Sequence, residues 1–163
     1  MSVLPIITGA DTPVLRKRTA LVPKVTKEIK KLIKDMKDTL RGAKGAGLAA
    51  TQVNQSLRLC LSTIDEKLVV LINPKILTMK KEYSLDEEGC LSLPGLWIPV
   101  PRSTEIVLAY QDEKGKKHER KLHNFNARVV QHELDHLDGV LIVDYLPPGF
   151  VAKTTILSNV SPA

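Results

Sequence analysis

Two histidines and a glutamate in one short stretch have the types and spacing needed for metal-assisted hydrolysis. Residues 131–139 contain His132, Glu133 and His136 in the pattern His-Glu-x-x-His. In a helix, His132 and His136 lie one turn apart on the same face, so both imidazoles can bind one divalent metal. Glu133 adjoins the first histidine and can act as a general base on a water at that metal. The pattern therefore predicts a metal site with hydrolytic chemistry.

The residues around this motif predict the helix that positions it. Asn124 is a candidate N-cap, and Gly139 is a candidate end of the helix. Apolar residues at spacings of three and four predict a buried face, which consists of Ala127, Val130, Leu134 and Leu137. The alternative is a plain helix with two chance histidines, but this motif is rare enough by composition to favour the metal.

A catalytic metal site of this kind needs a third protein ligand and an open position for water. The candidates are Cys90, His118, His123 and the carboxylates. The two additional histidines are more typical of surface positions. Cys90 lies in a segment that ends at Pro94, and its thiolate would be a strong ligand. The pattern favours Cys90 and leaves the other candidates open.

The 163 residues are expected to form one domain, 1–163, with a hydrophobic core. The net charge of +6 suits an anionic partner such as RNA, but only 4% of residues are aromatic, which leaves no evident stacking platform for bases. Two cysteines do not suggest a disulfide scaffold, and Cys60 is expected to be a buried structural thiol. No signal peptide or membrane-length apolar run is recognised, which favours a cytoplasmic protein.

We expect an α+β fold in which antiparallel sheets surround the motif helix. An amphipathic, lysine-rich helix is predicted from Lys24 to Leu40, capped by Thr26 and packed outside the core. Three glycines, Gly42, Gly45 and Gly47, are expected to end that helix. Strands are predicted over 57–63, 67–79, 103–110 and 117–122, with 140–145 as a short strand or extended segment.

Three stretches of the sequence resemble the motifs of the peptide deformylase family. They are Gly45-Ala46-Gly47-Leu48-Ala49-Ala50-Thr51-Gln52, Glu88-Gly89-Cys90-Leu91-Ser92 and Gln131-His132-Glu133-Leu134-Asp135-His136. They occur in the family's order and at similar separations, and the resemblance covers about residues 5–147. It implies an enzyme that removes the formyl group from the N-terminal formylmethionine of newly made polypeptides and releases formate.

The resemblance also implies a role for each matching residue. Three would hold the metal, which is natively ferrous iron, with nickel, cobalt or zinc as substitutes: Cys90, His132 and His136. Glu133 would take a proton from the bound water and later pass it to the leaving amine. The side-chain amide of Gln52 and the backbone N–H of Leu91 would stabilise the oxyanion together with the metal.

For the substrate, the resemblance implies that backbone near Ala46 and Gly47 hydrogen-bonds an extended peptide, much as a strand would. Phe125 and Val129, which precede His132 on the motif helix, are candidates for the methionine side-chain pocket by their position alone.

Two features depart from the family's pattern. Many bacterial relatives carry charged residues near Trp97, which either lines the substrate cleft or covers the core. The tail after Pro148 is short, whereas bacterial members often continue into a helix thought to dock on the ribosome. This puts ribosome association in doubt, and an organellar or viral relative is conceivable.

Two other functions compete with deformylation. A zinc peptidase with the same motif would take its third ligand from a downstream acid or histidine, and Asp144 is the only carboxylate beyond the motif helix. The second competing function is a non-catalytic module that binds a partner such as RNA. This alternative predicts that Glu133→Ala leaves function unchanged.

Overall fold

The structure is a computed structural model that describes residues 2–147. Within these residues, two α-helices and seven strands follow one another along the chain: α1 (Lys27–Ala43), β1 (Gly47–Ala49), β2 (Leu59–Ile64), β3 (Lys67–Met79), β4 (Tyr83–Cys90), β5 (Leu93–Ser103), β6 (Glu105–Gln111), β7 (Lys117–His123) and α2 (Asn124–Leu137). The predicted tail after Pro148 lies outside the described residues.

The strands form two antiparallel sheets. The larger has the order β1-β2-β3-β6-β7, and β4 and β5 form a separate two-stranded ribbon. Four strands of the larger sheet are predicted from the sequence, and the predicted ranges match β2, β3, β6 and β7 within about two residues at each end. The mixed fold with antiparallel sheets is therefore confirmed.

Helix α1 begins and ends three residues later than predicted. Thr26 caps it as expected, because its hydroxyl accepts a hydrogen bond from the N–H of Ile29 at 3.3 Å. The glycines do not end the helix: Gly42 lies within it, and Lys44 adopts the left-handed conformation after its last residue. The apolar face of α1 packs on the larger sheet through Ile33, Met36 and Leu40.

Helix α2 buries the apolar face that the sequence predicts, and all four of its residues lie in the core beside β2 and β6. Asn124 is not the cap. His123 occupies that position, and Asn124 has φ +50° and donates its N–H to the carbonyl of Thr104. Gly139 follows the helix with φ +76°, and a Cβ there would lie 2.8 Å from the carbonyl carbon of Arg16.

The prediction of a short strand or extended segment over 140–145 is wrong for its last four residues, because Ile142–Tyr145 is a 3₁₀ helix. Its β-branched residues favour a strand, but Asp144 accepts a hydrogen bond from the N–H of Leu141 at 3.0 Å. Asp144 also forms a salt bridge with Arg16 at 2.6 Å. These two contacts hold the segment in a turn.

Helix α2 lies between the two sheets. One side contacts β1 and β2 of the larger sheet, and the other contacts β5 of the ribbon. Side chains on α2 therefore face residues of both the glycine-rich segment and the ribbon. Among residues 2–147, no helix is both long and apolar enough to cross a lipid bilayer.

Candidate metal centre and substrate cleft

Three potential metal ligands from two distant parts of the chain converge at the inner end of a cleft. Their ligand atoms, on Cys90, His132 and His136, all lie within 4.8 Å of one another. The Sγ of Cys90 lies 3.3 Å from Nε2 of His136. Metal–sulfur and metal–nitrogen bonds of about 2.3 and 2.1 Å at a tetrahedral angle put those two atoms roughly 3.6 Å apart. The spacing therefore fits one shared cation.

The ribbon brings Cys90 to the histidines. Cys90 ends β4 and pairs with Leu93 across the tight turn into β5, while both histidines project from α2. The imidazole rings of His132 and His136 are inclined at 63° to each other, and their centroids lie 5.0 Å apart. Helical geometry thus fixes two ligands, and the sulfur depends on long-range packing.

Glu88 orients the first imidazole, a role that the sequence reasoning missed. Its Oε1 lies 2.8 Å from Nδ1 of His132, which leaves Nε2 for the cation. Burial raises the pKa of Glu88, but hydrogen bonds from Arg102 and His132 outweigh it and lower that pKa to about 2. Burial lowers the pKa of His132, whereas Cys90 and Glu88 raise it to about 10. Groups that favour a proton on this ring also favour a metal cation beside it.

Two buried arginines hold Glu88. Arg102 on β5 donates to both carboxylate oxygens at 2.9 Å, and Arg128 on α2 donates to Oε2 at 2.6 Å. Arg128 also reaches the carbonyls of Ser84 and Val100 on the ribbon. The ribbon and α2 are therefore linked by buried, charge-assisted hydrogen bonds.

Arg102 extends this network to the 3₁₀ helix. It donates to Asp135 at 2.6 Å and to the hydroxyl of Tyr145 at 3.1 Å, and its guanidinium lies 5.0 Å from the centre of the Tyr145 ring. Tyr145 in turn donates to Asp135 at 2.6 Å. Glu88 and Asp135 stand within the quoted motifs, but no local pattern in the sequence shows that distant arginines bind them.

Glu133 lies against the glycine-rich segment. A Cβ on Gly47 would lie 2.8 Å from Cδ of Glu133, so only glycine leaves room for the carboxylate. Burial raises the pKa of Glu133 to about 7, although the nearby His132 lowers it. A carboxyl with that pKa is suited to accept and return a proton near neutral pH.

The hydrogen bonding of two buried atoms indicates whether the site fits a metal and a water. Within residues 2–147, Oε1 of Glu133 and Nδ1 of His136 have no hydrogen-bond partner. A buried carboxylate oxygen without a partner is costly, so a donor such as water is expected beside it. One thiolate and two imidazoles form a donor set suited to iron, nickel, cobalt or zinc. The residues therefore fit a divalent transition metal.

Gln52 is fixed beside the ligands. Its Oε1 accepts a hydrogen bond from the N–H of Ala49 at 2.9 Å, and its Nε2 donates to the hydroxyl of Ser92 at 3.0 Å. The same Nε2 lies 3.9 Å from the sulfur of Cys90. The amide N–H groups thus face the metal ligands, and Ser92, given no role from the sequence, helps to hold them there.

A cleft of about 460 Å³ opens beside these groups. Its lining includes the predicted site residues other than the buried His136: Ala46, Gly47, Gln52, Cys90, Leu91, Phe125, Val129, His132 and Glu133. Phe125 is 62% exposed at the mouth, whereas Val129 is buried. Trp97 also lines the cleft, so of its two predicted positions, in the cleft or over the core, the structure shows the first.

The other candidate ligands lie elsewhere. His118 bonds Asp112 at 2.7 Å, and His123 faces Glu105. Asp144, the ligand that a zinc peptidase would require, is held by its salt bridge with Arg16. In the part of the chain that the structure describes, only Cys90 joins the two motif histidines in a cluster that could hold a metal ion. Cys60 is fully buried, as predicted.

Comparisons with known proteins agree with this geometry. The family model of polypeptide deformylase matches residues 3–149. A peptide deformylase of Dictyoglomus thermophilum is 45% identical over 132 residues, which are 81% of this chain and 86% of the relative. One from Chlorobaculum tepidum is 48% identical over 149 residues, which are 87% of this chain and 79% of the relative.

Solved structures show the same fold. The crystal structure of peptide deformylase from Thermotoga maritima has a TM-score of 0.87 and 41% identity, and covers 91% of this chain and 100% of its own. The Ehrlichia chaffeensis enzyme in complex with actinonin has a TM-score of 0.90 and 34% identity over 97% and 95% of the two chains. The family is metal-dependent and removes the formyl group from N-formylmethionyl peptides. This chain belongs to the polypeptide deformylase family.

Proposed function

We propose that the enzyme removes the formyl group through a divalent metal held by three residues: Cys90, His132 and His136. The converging ligand atoms beside an open cleft carry this assignment. When bound, the cation would act as a Lewis acid and lower the pKa of water. We propose ferrous iron as the native metal, as the resemblance implies, with nickel, cobalt or zinc as substitutes.

Glu133 is the proton carrier in this proposal. Its pKa of about 7 lets it take a proton from the attacking water and give it to the amine that leaves the formyl carbon. Its unpartnered Oε1 is available for that water. The proton therefore moves from water to the new N-terminus of the peptide while formate is released.

Gln52 and Leu91 would stabilise the oxyanion that develops on the formyl oxygen. Ala49 and Ser92 hold the Gln52 amide, so its N–H groups need little reorganisation during the reaction. Leu91 follows the ligand Cys90 at the cleft wall, where its backbone N–H would be the second donor.

The substrate would lie extended along the cleft. Backbone groups near Ala46 and Gly47 would pair with the peptide, since β1 is an edge strand of the larger sheet and pairs with β2 on one side only. Phe125 and Val129, at the mouth and wall of the cleft, would receive the methionine side chain. We propose that residues 1–163 form this one catalytic domain in the cytoplasm.

The decisive test is formate release from formyl-Met-Ala-Ser by protein purified without oxygen. We expect turnover that falls on exposure to air, because ferrous iron is oxidised. Glu133→Ala should remove most turnover while the bound metal remains, and Glu119→Ala, an exposed glutamate on β7, should change neither. Full activity of Glu133→Ala would refute the proposal, and cleavage of unformylated internal peptide bonds would indicate a peptidase.

The doubt that the short tail raises about ribosome association is untested, because residues 148–163 lie outside the described part of the chain. The proposed partners are formylated nascent peptides. Sedimentation with ribosomes would test whether the enzyme also binds the particle that makes them.

A further inference from the structure

The ribbon of β4 and β5 has one face toward α2 and one toward solvent. Even-numbered side chains such as Glu88, Ile98 and Arg102 point inward and are buried. Because side chains alternate along a strand, the odd-numbered ones over residues 83–87 and 97–101 point outward and are exposed. The outward ones form a surface that we name the outer strip: Tyr83, Leu85, Glu87, Trp97, Pro99 and Pro101.

The outer strip is unusually apolar for an exposed surface. Tyr83 is 58% exposed, Leu85 66% and Trp97 59%. The strand register places Leu85 opposite Pro101 and Glu87 opposite Pro99, so the side chains form one continuous surface. Contiguous exposed apolar residues commonly mark a surface that binds another molecule. Glu87 is the one charged side chain among these six.

The outer strip begins at the substrate cleft. The six-membered ring of Trp97 lies over Gly89, where an added Cβ would come within 2.9 Å of the ring. Trp97 and Gly89 both line the cleft, and Gly89 directly precedes the ligand Cys90. A peptide that leaves the reaction centre along β4 therefore meets Trp97 first.

The length of the outer strip suits an extended peptide. Tyr83 lies six residues before Gly89 on β4, which is about 20 Å at 3.3 Å per residue. An extended chain covers that distance with about six residues. With the formyl group at the metal ligands, residues two or three of a substrate would reach Trp97, and residues four to seven would reach Leu85 and Tyr83.

We propose that the outer strip binds the apolar segment of a nascent polypeptide that follows its formylmethionine. This inference rests on the deformylase function and adds a preference for substrates longer than those the cleft alone can hold. Uncharged apolar side chains would bury Leu85, Tyr83 and the prolines. Acidic side chains would be repelled by Glu87 and accepted least.

Peptide length and composition test the inference by steady-state kinetics of formate release. The substrates are formyl-Met-Ala-Ser and three octapeptides that extend it with Leu and Val, with Ser and Thr, or with Asp and Ser. We expect kcat/KM for the apolar octapeptide to exceed that for the tripeptide and for the polar octapeptide about tenfold, from partial burial of two or three large side chains. The acidic octapeptide should be slowest.

Variants of the outer strip test where that gain arises. Leu85→Ser should reduce the ratio of apolar octapeptide to tripeptide kcat/KM about fivefold. Leu77→Ser, an exposed leucine on β3, should leave both substrates as in the parent. Because Trp97 is the only tryptophan in the sequence, its fluorescence should shift to shorter wavelength when the deformylated apolar octapeptide binds.

The outcomes separate the two proposals. If formyl-Met-Ala-Ser is not deformylated, the proposed function fails. If it is deformylated but the apolar octapeptide gives no gain, or the gain survives Leu85→Ser, the outer strip does not bind substrate. Self-association that Leu85→Ser abolishes in sedimentation experiments would assign the surface to a second copy of the chain and overturn the inference.

Discussion

A single added methyl group on Gly47 tests whether the glycine-rich segment positions the carboxylate of Glu133, the proposed proton carrier. In Gly47→Ala, the new Cβ would lie 2.8 Å from Cδ and 2.9 Å from Cγ of Glu133, well inside ordinary contact. Gly47 lies in β1 and is not among the glycines with positive φ, so the backbone itself accepts alanine. The strain therefore falls on the end of the Glu133 side chain.

The size of the effect follows from these distances. Carbon atoms pack at about 3.5–4.0 Å, so the carboxylate must move by roughly 1 Å. A misplacement of about 1 Å at a catalytic group can reduce the rate about 100-fold. Stability should change little, because the group that moves is flexible. Alanine also reduces the conformational entropy of the unfolded chain, which stabilises the folded state by about 0.4–1 kcal/mol.

The assay compares kcat for formate release, metal content and melting temperature in Gly47→Ala and the parent. We expect kcat to fall about 100-fold, with metal content and melting temperature nearly unchanged. Gly42→Ala is the matched control, because nothing lies within 4 Å of its new Cβ and the residue is inside α1. It should keep full activity and gain about 0.5–1 kcal/mol of stability.

Two results would refute this reasoning. If Gly47→Ala keeps kcat within threefold of the parent, the contact with Glu133 does not position the catalytic group. If the variant unfolds or loses its metal, the added methyl displaces α2 itself rather than one side chain. Only the second result would show that the glycine is needed for another reason.

Three other substitutions test the rest of the site. Cys90→Ser should weaken metal affinity at least about tenfold, because a hydroxyl is a poorer ligand than a thiolate; metal content unchanged from the parent would contradict the ligand set. Glu88→Gln should lower the free energy of unfolding at pH 7, as measured in urea. The folded pKa of Glu88, about 2, lies below its ordinary 4.5, so its stabilisation is present above about pH 4.5 and is lost towards pH 2. Wild type and variant should therefore converge in acid, and a constant difference would count against this origin. Tyr145→Phe should cost about 1–2 kcal/mol through its lost hydrogen bond to Asp135, whereas Tyr83→Phe, an exposed control, should cost nothing measurable.

The helical part of the site was predictable because its geometry is local. His132 and His136 are four residues apart, and any helix puts them on one face. The apolar residues on another face identified the buried side of α2. Cys90 was harder, because its distance from His132 depends on the ribbon's turn and on packing with α2. Its motif and the resemblance to a family supplied what spacing could not.

The supporting network was beyond sequence reasoning. Glu88 precedes Cys90 by two residues, yet its partners Arg102 and Arg128 lie 14 and 40 residues away. Charged residues are usually exposed, so nothing in the local pattern indicates that these would be buried together. The same limit explains the wrong strand at 140–145, where the distant Arg16 stabilises a turn over the local β preference.

The salt bridges that Arg102 and Arg128 form between the ribbon and α2 have a consequence for how the protein would acquire its proposed metal. The pairs Arg128–Glu88 and Arg102–Asp135 join α2 to the ribbon through side chains other than the proposed metal ligands, so we expect these ligands to be assembled before a cation binds. In a zinc finger, by contrast, the cation provides the folding energy and the apo chain is unfolded. Here we expect the apo protein to keep its fold, so that one ion can replace another without refolding. The ion carried in the cell is then set by local supply and by the donors' affinity.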